Sequence, residues 1–212
     1  MTNTTQDAPP GDGRAGEESL PVLSRRVPFG VLLVGTGLVG WLAAGILILE
    51  KLELFRNPDH VTSCDINPWV SCGRVMETWQ SELFGFPNPF IGLVGFGIVI
   101  TTGVVLLAGA RLADWYWLGL QLGVTLGSVF TAWLWSQALF EIYILCLYCM
   151  VVWAAMIPLF ILTTVRNLVH GVIPAPRALT RWVAAWAGPL IAVSYIFVGA
   201  SVFFRFLHVF TG

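Results

Sequence analysis

Five apolar stretches dominate the chain, separated by polar breaks of very unequal length. They run from about Val27 to Leu49, Phe86 to Ala110, Trp115 to Phe140, Ile142 to Val165 and Trp182 to Phe204. Each exceeds the roughly 20 residues that a helix needs to cross about 30 Å of hydrocarbon. Their periodicity carries no further information, because membrane helices are apolar all round. Lipid offers nothing to unpaired backbone groups, so the stretches are read as helices. Residues 1–24 are rich in Thr, Pro, Gly and acidic side chains and are expected to be a disordered tail. The apolar run behind them is too long for the core of a cleavable signal peptide. Residues 25–212 are then one all-α membrane domain, a four-helix core plus a fifth helix. Only one connection is long, the segment of about 36 residues from Glu50 to Gly85. A long loop on a tight bundle is where function is usually found.

Composition sharpens this picture. Of the 212 residues, 57% are hydrophobic and 11% charged, whereas a soluble domain is about a quarter charged. A soluble enzyme is excluded, for want of polar surface. A net charge of −1 excludes a nucleic-acid partner, since no basic patch could follow a phosphate backbone. The basic residues orient the bundle. With the N-terminus in the cytoplasm, Arg14, Arg25, Arg26, Arg111, Arg166, Arg177 and Arg181 lie inside and Lys51, Arg56, Arg74 and Arg205 outside. This bias follows the positive-inside rule and turns the long loop outward.

The four cysteines fall on that outer face: Cys64 and Cys72 in the long loop, Cys146 and Cys149 in a Cys-Leu-Tyr-Cys motif near the start of the fourth span. An extracytoplasmic face permits disulfides. A Cys-x-x-Cys pair at a helix start closes too small a loop to be a good staple. It is a good redox pair, because the helix N-terminus favours the thiolate. Two dithiol pairs on one face can exchange a disulfide through a mixed intermediate. Two other readings stay open: a zinc site, although the spacing is not a recognised one, and a pair of structural disulfides.

The segment Cys64-Asp-Ile-Asn-Pro-Trp-Val-Ser-Cys72-Gly-Arg-Val-Met resembles the loop of the vitamin K epoxide reductase family. So do Phe86-Pro-Asn-Pro-Phe-Ile-Gly92 at the second span and Leu145-Cys146-Leu-Tyr-Cys149-Met at the fourth. The likeness covers about residues 30 to 165 and is greatest to the bacterial, actinobacterial-type branch. It implies a four-helix core around a quinone, menaquinone or ubiquinone, drawn from the membrane pool. It implies electrons arriving from a DsbA-like thioredoxin-fold protein, with no metal. By position, Cys64 resembles the cysteine that exchanges with the partner and Cys72 the shuttle that attacks Cys146. Cys149 resembles the cysteine beside the quinone. Some bacterial members carry a fused thioredoxin-like domain; here the chain ends at Gly212, so a separate partner is expected. The animal enzymes place a Tyr four residues after the last cysteine, where this chain has Trp153.

Several residues carry two readings. Asn88 precedes Pro89 and suits an N-cap of the second span; the resemblance also makes it a quinone ligand. Trp153 shares a helical face with Cys149 and lines a quinone pocket or merely populates the membrane interface. Phe90 stands at the mouth of the second span. Ser71 is an auxiliary candidate, bonding a thiolate or capping a short loop helix. Asp65 reads as a solvated turn residue. Gly35-Thr-Gly37-Leu-Val-Gly40 spells a dinucleotide fingerprint but lies inside an apolar span, where small residues serve close helix packing. His60, His170 and His208 are dispersed over both faces and suggest no metal. The reading is a membrane thiol:quinone oxidoreductase that sustains disulfide formation. Reduction of vitamin K quinone or its epoxide is the alternative within enzymes. A non-catalytic bundle with structural disulfides is the alternative outside them.

Overall fold

The computed structural model describes residues 24–207; the expected N-terminal tail up to residue 23 and His208 lie outside them. Five long helices are each apolar enough to cross a membrane. Helix α1 spans Arg26–Arg56, and the five-residue α2 spans Cys72–Met76. After a 3-10 turn at Trp79–Glu82 comes α3, Pro89–Leu107. Helix α4, Asp114–Gln137, runs on into a π turn at Ala138–Ile142. Helices α5 and α6 span Leu147–Val169 and Arg177–Arg205. Among the described residues extended pairing is confined to two isolated bridges, Asn67 with Val70 and Val70 with Leu145.

Two boundaries differ from the hydropathy reading. Helix α1 continues seven residues past Leu49, through Glu50, Lys51 and Glu53. Charge ends the hydrocarbon span but not the helix, since Glu and Lys are good helix formers. It stops where Pro58 disfavours helical geometry at Asn57, which is extended at φ −137° and ψ 99°. The connection at 140–142, expected to be nearly absent, is that π turn followed by Tyr143 in the left-handed region at φ 57°. The chain then runs extended to Cys146, so the fourth span begins at Leu147 rather than Ile142.

Helix α1 packs along α3 and α5, α4 packs on α5, and α6 lies mainly against α5. Phe29, Leu33, Trp117 and Leu159 fill the centre of the bundle. Lipid tails are as apolar as these side chains, so association rests on close van der Waals fit. The fit is tightest between α1 and α3: a Cβ added at Gly103 would lie 2.9 Å from the Gly30 carbonyl oxygen, and one at Gly40 would sit 2.3 Å from the Phe96 ring. Gly37 is similarly closed in by Ile100, while Gly35 faces open space. The small residues of that glycine run do serve packing, at two of its three glycines.

Candidate redox site

The long loop between α1 and α3 folds around one carboxylate. Asp65 accepts hydrogen bonds from the Thr62 amide (2.8 Å), the Ser71 hydroxyl (2.6 Å) and the Gly73 amide (3.2 Å). Burial opposes its ionisation, but these donors outweigh that and hold the carboxyl below its ordinary value. Asp65 is therefore the hub of the loop and not a solvated turn residue. Ser71 resolves to its capping reading: its oxygen accepts from the Arg74 amide at 3.1 Å and closes the start of α2. Its hydroxyl proton is committed to Asp65, so it is not directed to a thiolate.

This frame places Cys72 at the first residue of α2 and joins it in a disulfide to Cys64, with Cα atoms 5.6 Å apart. Both are buried, Cys64 with 1% of its surface exposed. The loop is then sewn to the start of α5. The Leu145 amide donates to the Trp69 carbonyl (2.8 Å), and the Ser71 amide donates to the Leu145 carbonyl (3.0 Å). The next residue on each strand of that seam is a cysteine. The Sγ atoms of Cys72 and Cys146 consequently lie 3.3 Å apart, across 74 residues of sequence. Cys146 is also the N-cap of α5, its sulfur accepting from the Cys149 amide at 3.3 Å. Cys146 and Cys149 are free thiols, Cys146 buried and Cys149 half-buried.

Three sulfurs, of Cys64, Cys72 and Cys146, thus lie within 4.8 Å of one another. Thiol–disulfide exchange needs this arrangement. Attack by the Cys146 thiolate on the Cys72 sulfur forms a Cys72–Cys146 bond, breaks Cys64–Cys72 and releases Cys64 as the thiolate. The reverse step restores the Cys64–Cys72 disulfide. With two of the three already joined, one thiol remains to bind a cation, so the disulfide form is a poor metal donor set.

Beyond Cys146 and Cys149 opens an apolar cavity of about 1090 Å³ between the helices, lined among others by Phe86, Asn88, Phe90 and Trp153. Trp153 is buried and Phe90 partly exposed at its edge. The side-chain cap expected of Asn88 is absent. Its backbone is already helical, at φ −53° and ψ −31°, which aims the side chain away from the helix amides. Its Nδ2 instead donates to the Gln80 carbonyl at 2.6 Å, and its buried Oδ1 has no hydrogen-bond partner. A buried unpaired acceptor is costly in the absence of a ligand. Pro89 at the first turn of α3 is as expected.

The sequence reading missed two further residues on the cavity wall. Gln80 is buried and donates through Nε2 to Gln137 at 3.4 Å. Lys51 donates to the Met76 carbonyl at 2.7 Å and pairs with Glu82 at 2.9 Å, tying the end of α2 to α1. Lone polar residues past the end of an apolar span carry no spacing signal that would have marked them.

The bundle and its facing cysteine pairs define a membrane-embedded redox protein of the thiol–disulfide kind. The family model described as the vitamin K epoxide reductase family matches residues 31–164, and the chain belongs to that family. It is a multi-pass membrane protein and an oxidoreductase. The match runs from within α1 to within α5 and leaves α6 outside it. A comparison with individual curated proteins found no match.

Proposed function

We propose that this protein is a thiol:quinone oxidoreductase that oxidises an extracytoplasmic DsbA-like thioredoxin-fold partner. The observation that carries the reading is the 3.3 Å contact between Cys72 and Cys146, which joins the two cysteine pairs at the wall of an apolar cavity. A partner thiolate attacks Cys64, and Cys72 leaves as the thiolate. When the inner pair is oxidised, that thiolate attacks Cys146 and Cys149 is released toward the cavity. A second attack by the partner's other thiol on its mixed disulfide with Cys64 frees the partner in its oxidised form. The Cys64 thiolate then attacks Cys72, which re-forms the Cys64–Cys72 disulfide, breaks the Cys72–Cys146 bond and releases Cys146, so that two electrons and two protons reside on Cys146 and Cys149. The quinone supplies the two-electron sink.

The residues present fit a quinone. The cavity is lined mostly by apolar side chains, with few convergent polar groups, as ligand pockets are. The unpaired Asn88 Oδ1 can accept from a quinol hydroxyl, and the second Nδ2 hydrogen can donate to a quinone carbonyl. Trp153 and Phe90 offer flat apolar faces, and Cys149 stands on the same wall. In this reading the N-terminus is cytoplasmic and all four cysteines face outward, in line with the arginine distribution.

The test is anaerobic incubation of the purified protein with a reduced thioredoxin-fold protein and a quinone. Quinol should form in a one-to-one ratio with disulfide in the partner. Quinone formation from vitamin K epoxide, with no reduction of quinone itself, would instead favour the epoxide reaction. No electron transfer with any quinone would leave a non-catalytic bundle.

A further inference from the structure

The cysteine assigned above to partner exchange is among the most buried side chains of the loop, with 1% of Cys64 exposed. The residue that precedes it in the chain is pinned in place. Ser63, itself exposed, is held at two points. Its backbone amide donates to Glu50 Oε1 at 3.0 Å, and its hydroxyl meets the Tyr148 hydroxyl at 3.0 Å. Glu50 belongs to the outer end of α1 and Tyr148 to the first turn of α5, between the two inner cysteines. The other carboxylate oxygen of Glu50 bonds His60 Nε2 at 3.0 Å, which fixes the chain three residues earlier. Neither Glu50, His60 nor Tyr148 is required by the exchange steps or by the cavity.

We propose that Ser63, clamped by Glu50 and Tyr148, is a latch that keeps Cys64 covered, and that a thiol reaches Cys64 only after this latch opens. Glu50 and Tyr148 are positioning residues, acting on the reaction through Ser63. The inference rests on the reading of Cys64 as the exchanging cysteine. Geometry supports it independently. An attacking thiolate must approach Cys64 opposite the Cys64–Cys72 bond, and Cys64 has almost no exposed surface. Each hydrogen bond of the latch shifts the closed–open balance by an amount typical of a single net hydrogen bond, about five-fold. Opening it moves Ser63, an exposed residue.

The experiment uses the full-length protein in its outer-disulfide form and a small monothiol. The thiolate attacks Cys64, its sulfur bonds to Sγ of Cys64, and Cys72 leaves as the thiolate, so no other oxidant or reductant is involved. The adduct is mapped by mass spectrometry and its formation rate measured. Ser63→Ala and Tyr148→Phe remove the same hydroxyl pair from its two sides. Each should raise the rate of adduct formation at Cys64 about five-fold, and the double variant should be no faster than either. Glu50→Ala, which frees the amide of Ser63 and His60 together, should raise it further. Melting temperatures within a degree or two of the parent distinguish latch opening from general loosening. If Tyr148→Phe is poorly folded, Ser63→Ala, at an exposed position, carries the test alone. An adduct at Cys64 forming at an unchanged rate, or gains that multiply in the double variant, overturns the latch and leaves the relay standing. An adduct at Cys72 in the parent protein overturns the relay order, and the latch with it.

Discussion

Asn88 shows how one buried amide changes an expected mutational series. As an N-cap, Asn88→Asp would be benign, because a carboxylate caps well. In the structure Nδ2 donates to the Gln80 carbonyl, so a carboxylate there sets two acceptors against each other. Asn88→Asp should therefore cost about 1–3 kcal/mol, more than the roughly 1 kcal/mol of Asn88→Ala, in which one hydrogen bond is simply lost. Thermal melts of the two variants decide it; an Asp variant as stable as the parent would restore the capping role. Asp65 gives a second residue-level prediction. Its folded pKa lies below its unfolded value near pH 4. Its contribution is thus complete above about pH 4 and is lost as pH falls through the lower folded value. Amide protection at Thr62 and Gly73 should decline over that range in the parent and stay flatter in Asp65→Asn, as hydrogen exchange would show. Equal slopes would remove Asp65 as the hub. The four cysteines were legible in the sequence because motif and spacing mark them, whereas spacing marked Asn88 only as a side-chain N-cap, which it is not, and the family resemblance alone pointed it to the cavity. Asp65, Gln80, Lys51 and Tyr148 were not legible, because a single polar residue acquires its role only from what folding brings against it.

At the scale of the helix, the α1–α3 seam depends on missing side chains. Gly103→Ala and Gly40→Ala would drive a methyl into backbone and into the Phe96 ring, where there is no room. Each should cost about 1–3 kcal/mol through overpacking. Gly35→Ala, in open space, should be neutral or stabilising by up to about 1 kcal/mol from helix propensity. Denaturation in detergent would show the contrast; equal effects at positions 35 and 103 would mean the helices are not in close contact. The number of spans was readable because hydrocarbon thickness demands long apolar runs. Their ends were less so. Hydropathy reports where lipid stops, while Pro58 stops α1, and the left-handed Tyr143 and the bridge at Leu145 delay α5. That delay matters, because it leaves Cys146 at the helix cap rather than inside a helix.

For the whole molecule, the proposed orientation can be read from exposed sites that avoid the buried cysteines. A cysteine introduced at the exposed loop residue, Asp59→Cys, should react in intact cells with an impermeant maleimide. One introduced in the connection between α3 and α4, Ala110→Cys, should react only after lysis. The reverse pattern would invert the bundle. With the cysteines outward, the burial of the Cys64–Cys72 bond has a consequence for the compartment as a whole. A quinone pool wired to a freely accessible disulfide would be short-circuited by every small thiol in its surroundings. Respiratory oxidising power would drain into molecules that need no disulfide. In the proposed reading, insulating the terminal contact beneath its own loop would leave current to flow only where a docking surface is large enough to displace that loop. Selectivity would then lie in the contact between two proteins, and the sulfur chemistry itself need not discriminate.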